Sequence, residues 1–463
     1  MDIQGKLKKL GRSTLPEAFY SLIQVWKEWY DGNVHDFHNY TVYNGIEYLD
    51  CHRYGVGMAK KVSEDWANFL LNEKVVITLE GEQEQAFVDS VLERNNFRVK
   101  GNELQERKAA LGTTAIVPRV ERMEVSENGD VVKAGEIKLS YCSAPTIYPL
   151  SWENGIVKEC AFVSEWREDG KDYTYIQLHV LDENGLYVIE NRAFEGSDEI
   201  KIAKLPGYET VPPAIHTGSD KRQFVIDRLN IANPDEGNPM GLSVFAAAID
   251  QLKGVDIAYD GYVNEFILGK KRIVVKPEAT KTLDGRPIFD ARETVYYSLP
   301  EDSSSGSIME QVDMTLRTAE FNAGIQDMLN VLSSKCGFGE NHYKYDNGNV
   351  STATQVISEN SSLFRTIKKH ELIVETVLID LCRIILRMGN KYMGMKLDEN
   401  VEISIDFDDS IIEDEEANFN RDARLLQMGI MNDWEFRMKW MNEDEATAKA
   451  ALPQMEKLVS DVE

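Results

Sequence analysis

The chain is short of the features that most often betray chemistry. Its five cysteines (Cys51, Cys142, Cys160, Cys336 and Cys382) are scattered through 463 residues without a C-x-x-C pair, which argues against a disulfide framework or zinc knuckle and fits a reducing compartment. There is no G-x-x-x-x-G-K-[ST], and no strand followed by G-x-G-x-x-G and a helix, so nucleotide binding has no support. Long apolar runs are missing too. The greasiest stretch is interrupted by Glu375, Asp380 and Arg383, too soon for a bilayer span. The opening "MDIQGKLKKLGRS" lacks the apolar core of a signal peptide, so the expectation is a soluble protein made in the cytoplasm, with no membrane partner. Positive charge is scarce: 51 Lys and Arg stand against 78 Asp and Glu, a formal net of −27. A protein that grips phosphates shows a basic footprint, and this one does not. The excess gathers late, with 17 acidic and 6 basic side chains in residues 401–463. Such acidity is either a solubilising surface or one that must lie near nucleic acid without sticking to it.

What is present is length and periodicity. At 463 residues, enough for about three average domains, the chain can bury a core without staples. Two amphipathic helices open it. The first carries Leu15, Phe19, Leu22, Trp26 and Trp29 behind an expected Thr14/Glu17 capping box; the second places Met58, Val62, Trp66 and Phe69 on one face. A strand, "KVVITLEG", and two more helices lead to Leu111. From Gly112 to about Leu205 the period becomes two, with hairpin signals at Asn128-Gly129, Asn154-Gly155 and Asn184-Gly185, and a Pro- and Gly-rich connector follows.

A long helix is then expected from residue 240, capped by Asn238 with Pro239 at its first position. Phe245, Ile249, Leu252, Val255, Tyr259, Tyr262 and Phe266 form a narrow, near-heptad seam, and Gly254 and Gly261 lie seven apart on another face. Each glycine costs a helix about 1 kcal/mol relative to alanine, so a shared stripe points to something packed close against the backbone. A small strand-rich insert follows, basic at its entry (Lys270, Lys271, Arg272, Lys276, Lys281, Arg286), then a helix from Thr315 to about Cys336 with Leu316, Phe321, Ile325, Met328 and Leu332 inward. The pair reads as two antiparallel stalks with a knob at the far end. "GFGENHYKYDNGN" (337–349) reads as a loop with nothing apolar enough to fix it in a core; Phe338, His342, Tyr343 and Tyr345 are its aromatics and Lys344 its one cation.

The stretch "NVSTATQVISENSSLFRTIKKHELIVETVLIDLCRIILRMGN" reads as one long helix opened by a Thr352/Gln355 capping box. Its apolar stripe is one residue wide in the first half and broadens in the second through Leu372, Ile373, Val377, Ile379 and Ile384. The second half therefore belongs in a core, and the first is expected to cross a polar space between copies of the chain. A strand, "VEISIDFDDS", and short helices divided by Gly429 and Asn442 complete the chain. No repeat or low-complexity segment occurs. Two constellations leave an enzyme open as the alternative: His35, His38 and His52 could be asked to hold a metal, and Asp406, Asp408 and Asp409 to serve as catalytic carboxylates.

Several segments resemble the portal proteins of tailed bacteriophages, of the A118-like or SPP1 type. They are "VWKEWYDGN" and "GMAKKVSEDWANFLLNE", then "GLSVFAAAIDQLKGVDIAYDGYVNEFILGKKRIVV", then "VSTATQVISENSSLFRTIKKHE". The resemblance implies a multidomain α+β portal fold, catalysing nothing and holding no cofactor. Its parts would be a wing (1–239), first stem helix (240–268), clip (269–314), second stem helix (315–336), channel loop (337–350), wing spine (351–409) and crown (410–463). It further implies a ring, expected as a dodecamer at one capsid vertex, through which double-stranded DNA passes during packaging and ejection. Implied partners are terminase, head-completion adaptors and the major capsid and scaffolding proteins. Under this resemblance Phe338, His342, Tyr343, Lys344 and Tyr345 become the channel loop, and Lys270, Lys271 and Arg272 DNA-facing cations. Phe245, Ile249, Leu252, Gly254, Tyr259, Gly261 and Phe266 become stem packing, and Lys276, Lys281 and Arg286 a docking surface on the clip.

Overall fold

The computed structural model describes residues 2–121, 124–125, 131–133, 135–269, 272–275, 296–298, 309–312, 315–345, 353–407, 415–441 and 443–451. Helices and strands are both abundant, and the architecture is α+β. Helices Glu17–Tyr30, Met58–Leu70, Glu82–Arg94 and Phe97–Leu111 precede an antiparallel β region, with strand Val76–Leu79 between the second and third of them.

That region forms two main sheets and a two-stranded ribbon of Glu124–Val125 with Val131–Lys133. The larger runs in the order Asp198–Ile200, Tyr187–Glu195, Lys171–Leu181, Ile156–Glu168, Ile147–Glu153, with Ala214–His216 also pairing to Tyr187–Glu195. Alternation along Ile156–Glu168 serves two cores at once: Cys160 and Phe162 point into the main core, while Ala161 and Val163 meet the N-terminal helix Ile3–Lys9 through Ile3 and Leu7. Period two puts successive side chains on opposite faces, so a sheet covered on both sides needs apolar residues at every position. Asn154-Gly155 makes the two-residue turn its left-handed φ values of 51° and 74° allow, and Asp169-Gly170 makes another at 48° and 79°. Asn184-Gly185 instead sits in a five-residue loop, where Asp182 Oδ1 accepts from Asn184 N and Leu186 N. Asn128-Gly129 lies outside the described residues. The smaller sheet orders Val225–Arg228, Thr113–Glu121, Glu136–Ser143.

Three local expectations are corrected. Thr14 does not cap the Glu17–Tyr30 helix; its hydroxyl bonds Pro149 O at 2.8 Å, tying the helix entry to the sheet. On that helix Leu22 is exposed and Ile23 buried in its place. The helix expected from residue 240 begins at Ile249, after a 3-10 turn at Ala246–Ala248. Asn238 does bond a nearby backbone N–H, that of Met240 at 2.9 Å, but the turn it makes leads into a docked loop. Gly241 N donates to Thr113 Oγ1, Val244 N donates to Ala109 O, and a Cβ on Gly241 would stand 2.3 Å from Gly112 O. Phe245 and Leu252 are consequently buried in the main core rather than on a stalk seam.

The helix Ala353–Met393 is 41 residues long, about 60 Å at 1.5 Å per residue. Its second half fills a core with Val88, Phe97, Ile116, Leu139 and Val225, to which Val374, Leu378, Leu381, Ile385 and Met388 contribute. Leu372, expected in that face, is 62 % exposed. The first half is expected in polar surroundings, but Leu363 and Ile367 enter the main core beside Trp66 and Phe338. Beyond this helix, Ile403–Asp406 pairs antiparallel with Val76–Leu79. Tail helices Glu415–Gln427, Asp433–Met441 and Glu445–Ala450 pack on one another, the first two separated at Gly429, whose φ is 69°. Among the described residues no helix is long and apolar enough to cross a membrane.

Candidate functional site

The features with no evident role inside one globular subunit cluster around helices Ile249–Leu268 and Thr318–Lys335, which pack on each other. The glycine stripe is where they meet: a Cβ on Gly254 would lie 3.1 Å from Met328 Sδ, and one on Gly261 3.0 Å from Phe321 Cε1. Tyr262 packs its ring between those of Phe266 and Phe321, at 5.0 and 6.1 Å. Arg317 pairs with Glu265 at one end of the helices, and Lys335 Nζ bonds Ala247 O and Gln251 Oε1 at the other. Ile249 and Tyr259 are half-buried against the main core. Away from their mutual contact, Ile257, Phe266 and Ile267 on one helix and Val331 on the other are exposed, as is Leu316 before the second. Leu316 thus does not turn inward as expected, whereas Met328, though partly exposed, sets its sulfur against Gly254, and Leu329 is buried.

Between the two helices the chain passes through a three-stranded sheet in the order Tyr296–Ser298, Arg272–Val275, Met309–Val312, the first pair parallel. Lys270, Lys271, Lys276, Lys281 and Arg286 lie outside the described residues, and of Arg272 only the backbone strand is described.

The loop after Thr318–Lys335 differs most from expectation. Gly337 and Gly339 adopt φ values of 88° and 89°, turning Phe338 inward until it is 2 % exposed. Its ring stacks on His342, centroids 4.5 Å apart, and lies 5.1 Å from Trp66, whose Nε1 donates to Cys336 O. Tyr343 OH donates to Asp65 Oδ2 at 3.0 Å. Burial and the Asp65 carboxylate raise the Tyr343 pKa far above the usual phenol range. Burial also pushes the Asp65 carboxyl up, but hydrogen bonds from His342, Lys61 and Tyr343 prevail and hold it below its usual value. Gln326 completes the fastening, donating to Tyr343 O and accepting from Tyr345 N. Phe338, His342 and Tyr343 are therefore core-anchoring groups, and only Lys344 and Tyr345 of the named loop residues are exposed. Residues 346–350 lie outside the described set.

The histidines are employed separately. His38 is buried; its Nδ1 accepts from Val34 N, so Nε2 carries the proton and donates to Asp256 Oδ2 at 3.2 Å. His35 pairs with Asp36 on the surface, and His52 bonds Asn39. Among the described residues no group of three or more His, Cys, Asp or Glu is placed to hold a metal ion. Asp406 is exposed at the end of its strand, and Asp408 and Asp409 are outside the described residues.

Sequence reasoning missed Asp256 and Asp260. Asp256 Oδ1 accepts from Val56 N and Asp260 Oδ1 from Tyr54 N, so these carboxylates clamp the base of hairpin Asn39–Tyr43/Tyr48–His52 to the first stalk helix. Burial raises the Asp256 pKa against the opposing hydrogen bonds from Val56 and His38. The available signal was two carboxylates four apart beside an apolar seam. Also missed was Lys108, fully buried, bonding Asp227 at 3.0 Å beside Gln105.

A family model described as phage portal protein, SPP1 Gp6-like, matches residues 16–456. No curated protein matches. Among solved structures, a chain in "Neck of native GTA particle computed with C12 symmetry" is 11 % identical with a TM-score of 0.38. One in "Virion of native gene transfer agent (GTA) particle" is 9 % identical with the same score; each alignment covers 82 % of this chain and 88 % of the other. At a TM-score of 0.38 the likeness supports no finer statement about this chain.

Proposed function

This chain belongs to the SPP1 Gp6-like family of phage portal proteins, and on that premise we propose that its copies close into a ring at the capsid vertex. The ring is a conduit for double-stranded DNA in packaging and ejection and a platform on which terminase and, later, head-completion proteins dock. The family is one of structural proteins, and the chain's part in the motor is to hold and align. The family match across 441 residues carries the reading.

Physical features support it. Helices Ile249–Leu268 and Thr318–Lys335 act as the stem, the three-stranded sheet between them as the core of the clip, the Ala353–Met393 helix as the spine of the wing, and the tail helices as the crown. Apolar side chains on the outer faces of the stem pair, Ile257, Phe266 and Val331 among them, are covered when pairs stand side by side around a hole. The net charge of −27 makes a wall that repels the duplex over about 8–10 Å at physiological salt, so that DNA slides instead of being trapped on cationic contacts. Lys344 and Tyr345, exposed beside the anchored aromatic cluster, are the described loop groups that would touch passing DNA.

Negative-stain imaging of the purified full chain tests the proposal. Annular particles with a central hole are expected; a compact monomer at high concentration, unchanged by terminase or capsid protein, overturns it.

A further inference from the structure

A cleft of about 400 Å³ lies against the second half of the Ala353–Met393 helix, closed by side chains from 221–222 and 399–400. In a chain with 27 excess negative charges, this cleft is cationic. Lys221, Arg222, Arg383 and Arg387 line it against Asp380 and Glu399. Arg222 is committed, bonding Asp380 Oδ2 at 2.9 Å and Val157 O at 3.2 Å. Arg383 and Arg387, one helical turn apart, are not: no acceptor among the described residues hydrogen-bonds either guanidinium. Burial lowers the Arg387 pKa, Glu399 and Asp380 oppose that, and Arg383 adds to it. Two adjacent forks without acceptors, one half-buried, are built for carboxylates, which bind guanidinium bidentately.

We propose that this cleft seats the acidic run 406–416, "DFDDSIIEDEE", of a neighbouring copy. Seven of those eleven residues are acidic, which matches the charge of the cleft. The occupant comes from another copy because of chain length. From Asn400 at the cleft the chain runs through strand Ile403–Asp406, about 20 Å away in extended form. Returning to its own cleft would take nearly the full reach of residues 408–414, about 24 Å. A neighbour's cleft makes no such demand. The inference rests on the ring reading and adds a wing contact to it.

The test is charge reversal in the full chain, read as the fraction of rings by native mass spectrometry and negative stain at rising salt. One variant carries Arg383→Glu and Arg387→Glu; a second carries Asp408→Lys, Asp409→Lys, Glu413→Lys and Asp414→Lys. Each alone is expected to lose rings about tenfold or more at a concentration where the parent closes, since like charges then face each other. Mixed one to one, they are expected to close again into alternating rings, because every contact is complementary once more. Recovery on mixing also certifies that both variants fold. Rings undiminished in either single variant overturn the contact, as does recovery only when both sets of changes share one chain. A parent that never closes sinks the ring reading itself, which separates the two failures.

Discussion

His179 sits in the large sheet with Phe162 and Phe224 edge-on to its ring at 5.5 and 5.3 Å, and neither ring nitrogen has a hydrogen-bond partner among the described residues. Burial lowers its pKa to about 3, so the folded chain keeps it neutral where the unfolded chain, near 6.5, takes up a proton. A folded pKa below the unfolded one means the stability is present in full above pH 6.5 and drains as pH falls toward 3. At pH 5 the loss is about 2 kcal/mol from this residue, at 1.4 kcal/mol per unit. His179→Leu is expected to leave stability at pH 7 unchanged or higher and to remove that share of the acid slope, as measured by urea unfolding at pH 7 and pH 5; an unchanged slope contradicts it. His370 is also held neutral, at about 3, by burial and by the nearby Lys108 and Lys369. Its Nδ1, however, accepts from Asn230 N, so replacing it would also orphan a backbone donor.

Between elements, the two stalk glycines are not equivalent. A methyl at Gly254 would meet Met328 Sδ, the far end of a flexible side chain, at 3.1 Å; at Gly261 it would meet the rigid ring of Phe321 at 3.0 Å. Gly254→Ala is therefore expected to be neutral or to stabilise by up to about 1 kcal/mol through helix propensity. Gly261→Leu wedges the helices apart and costs about 1–3 kcal/mol. Thermal unfolding with ring yield alongside checks both, and equal effects would refute the contrast. The stripe itself was legible, since spacing along a helix is local information. So were the helices ending at Leu70 and Leu111, the hairpin at Asn154-Gly155 and the apolar second half of the long helix. What misled was chemistry that looks alike in two settings. Asn238-Pro239 carries a helix start signal, yet the same Asn side chain closes a turn just as well, and the glycine contact between Gly112 and Gly241, which decides the matter, joins residues 129 positions apart. The loop after Lys335 looked uncommitted because its anchor, Trp66, bonds Cys336 across 270 residues. Likewise, nothing near His38 announces Asp256 as its partner.

For the whole molecule the governing quantity is the charge of −27, against which single cations on the proposed DNA path stand out. Lys344→Ala is expected to leave ring formation intact while lowering the DNA retained per particle after packaging, scored by nuclease protection. Parent-like retention would remove the loop from the mechanism. A different consequence follows from the pairing of Val76–Leu79 with Ile403–Asp406 in a sheet of only those two strands. The early strand has no mate in that sheet until Ile403–Asp406 has been made, and contacts of such sequence separation form late. The Val76–Leu79 edge is therefore left as an open hydrogen-bonding template through most of synthesis, closed only when the chain's own late strand arrives.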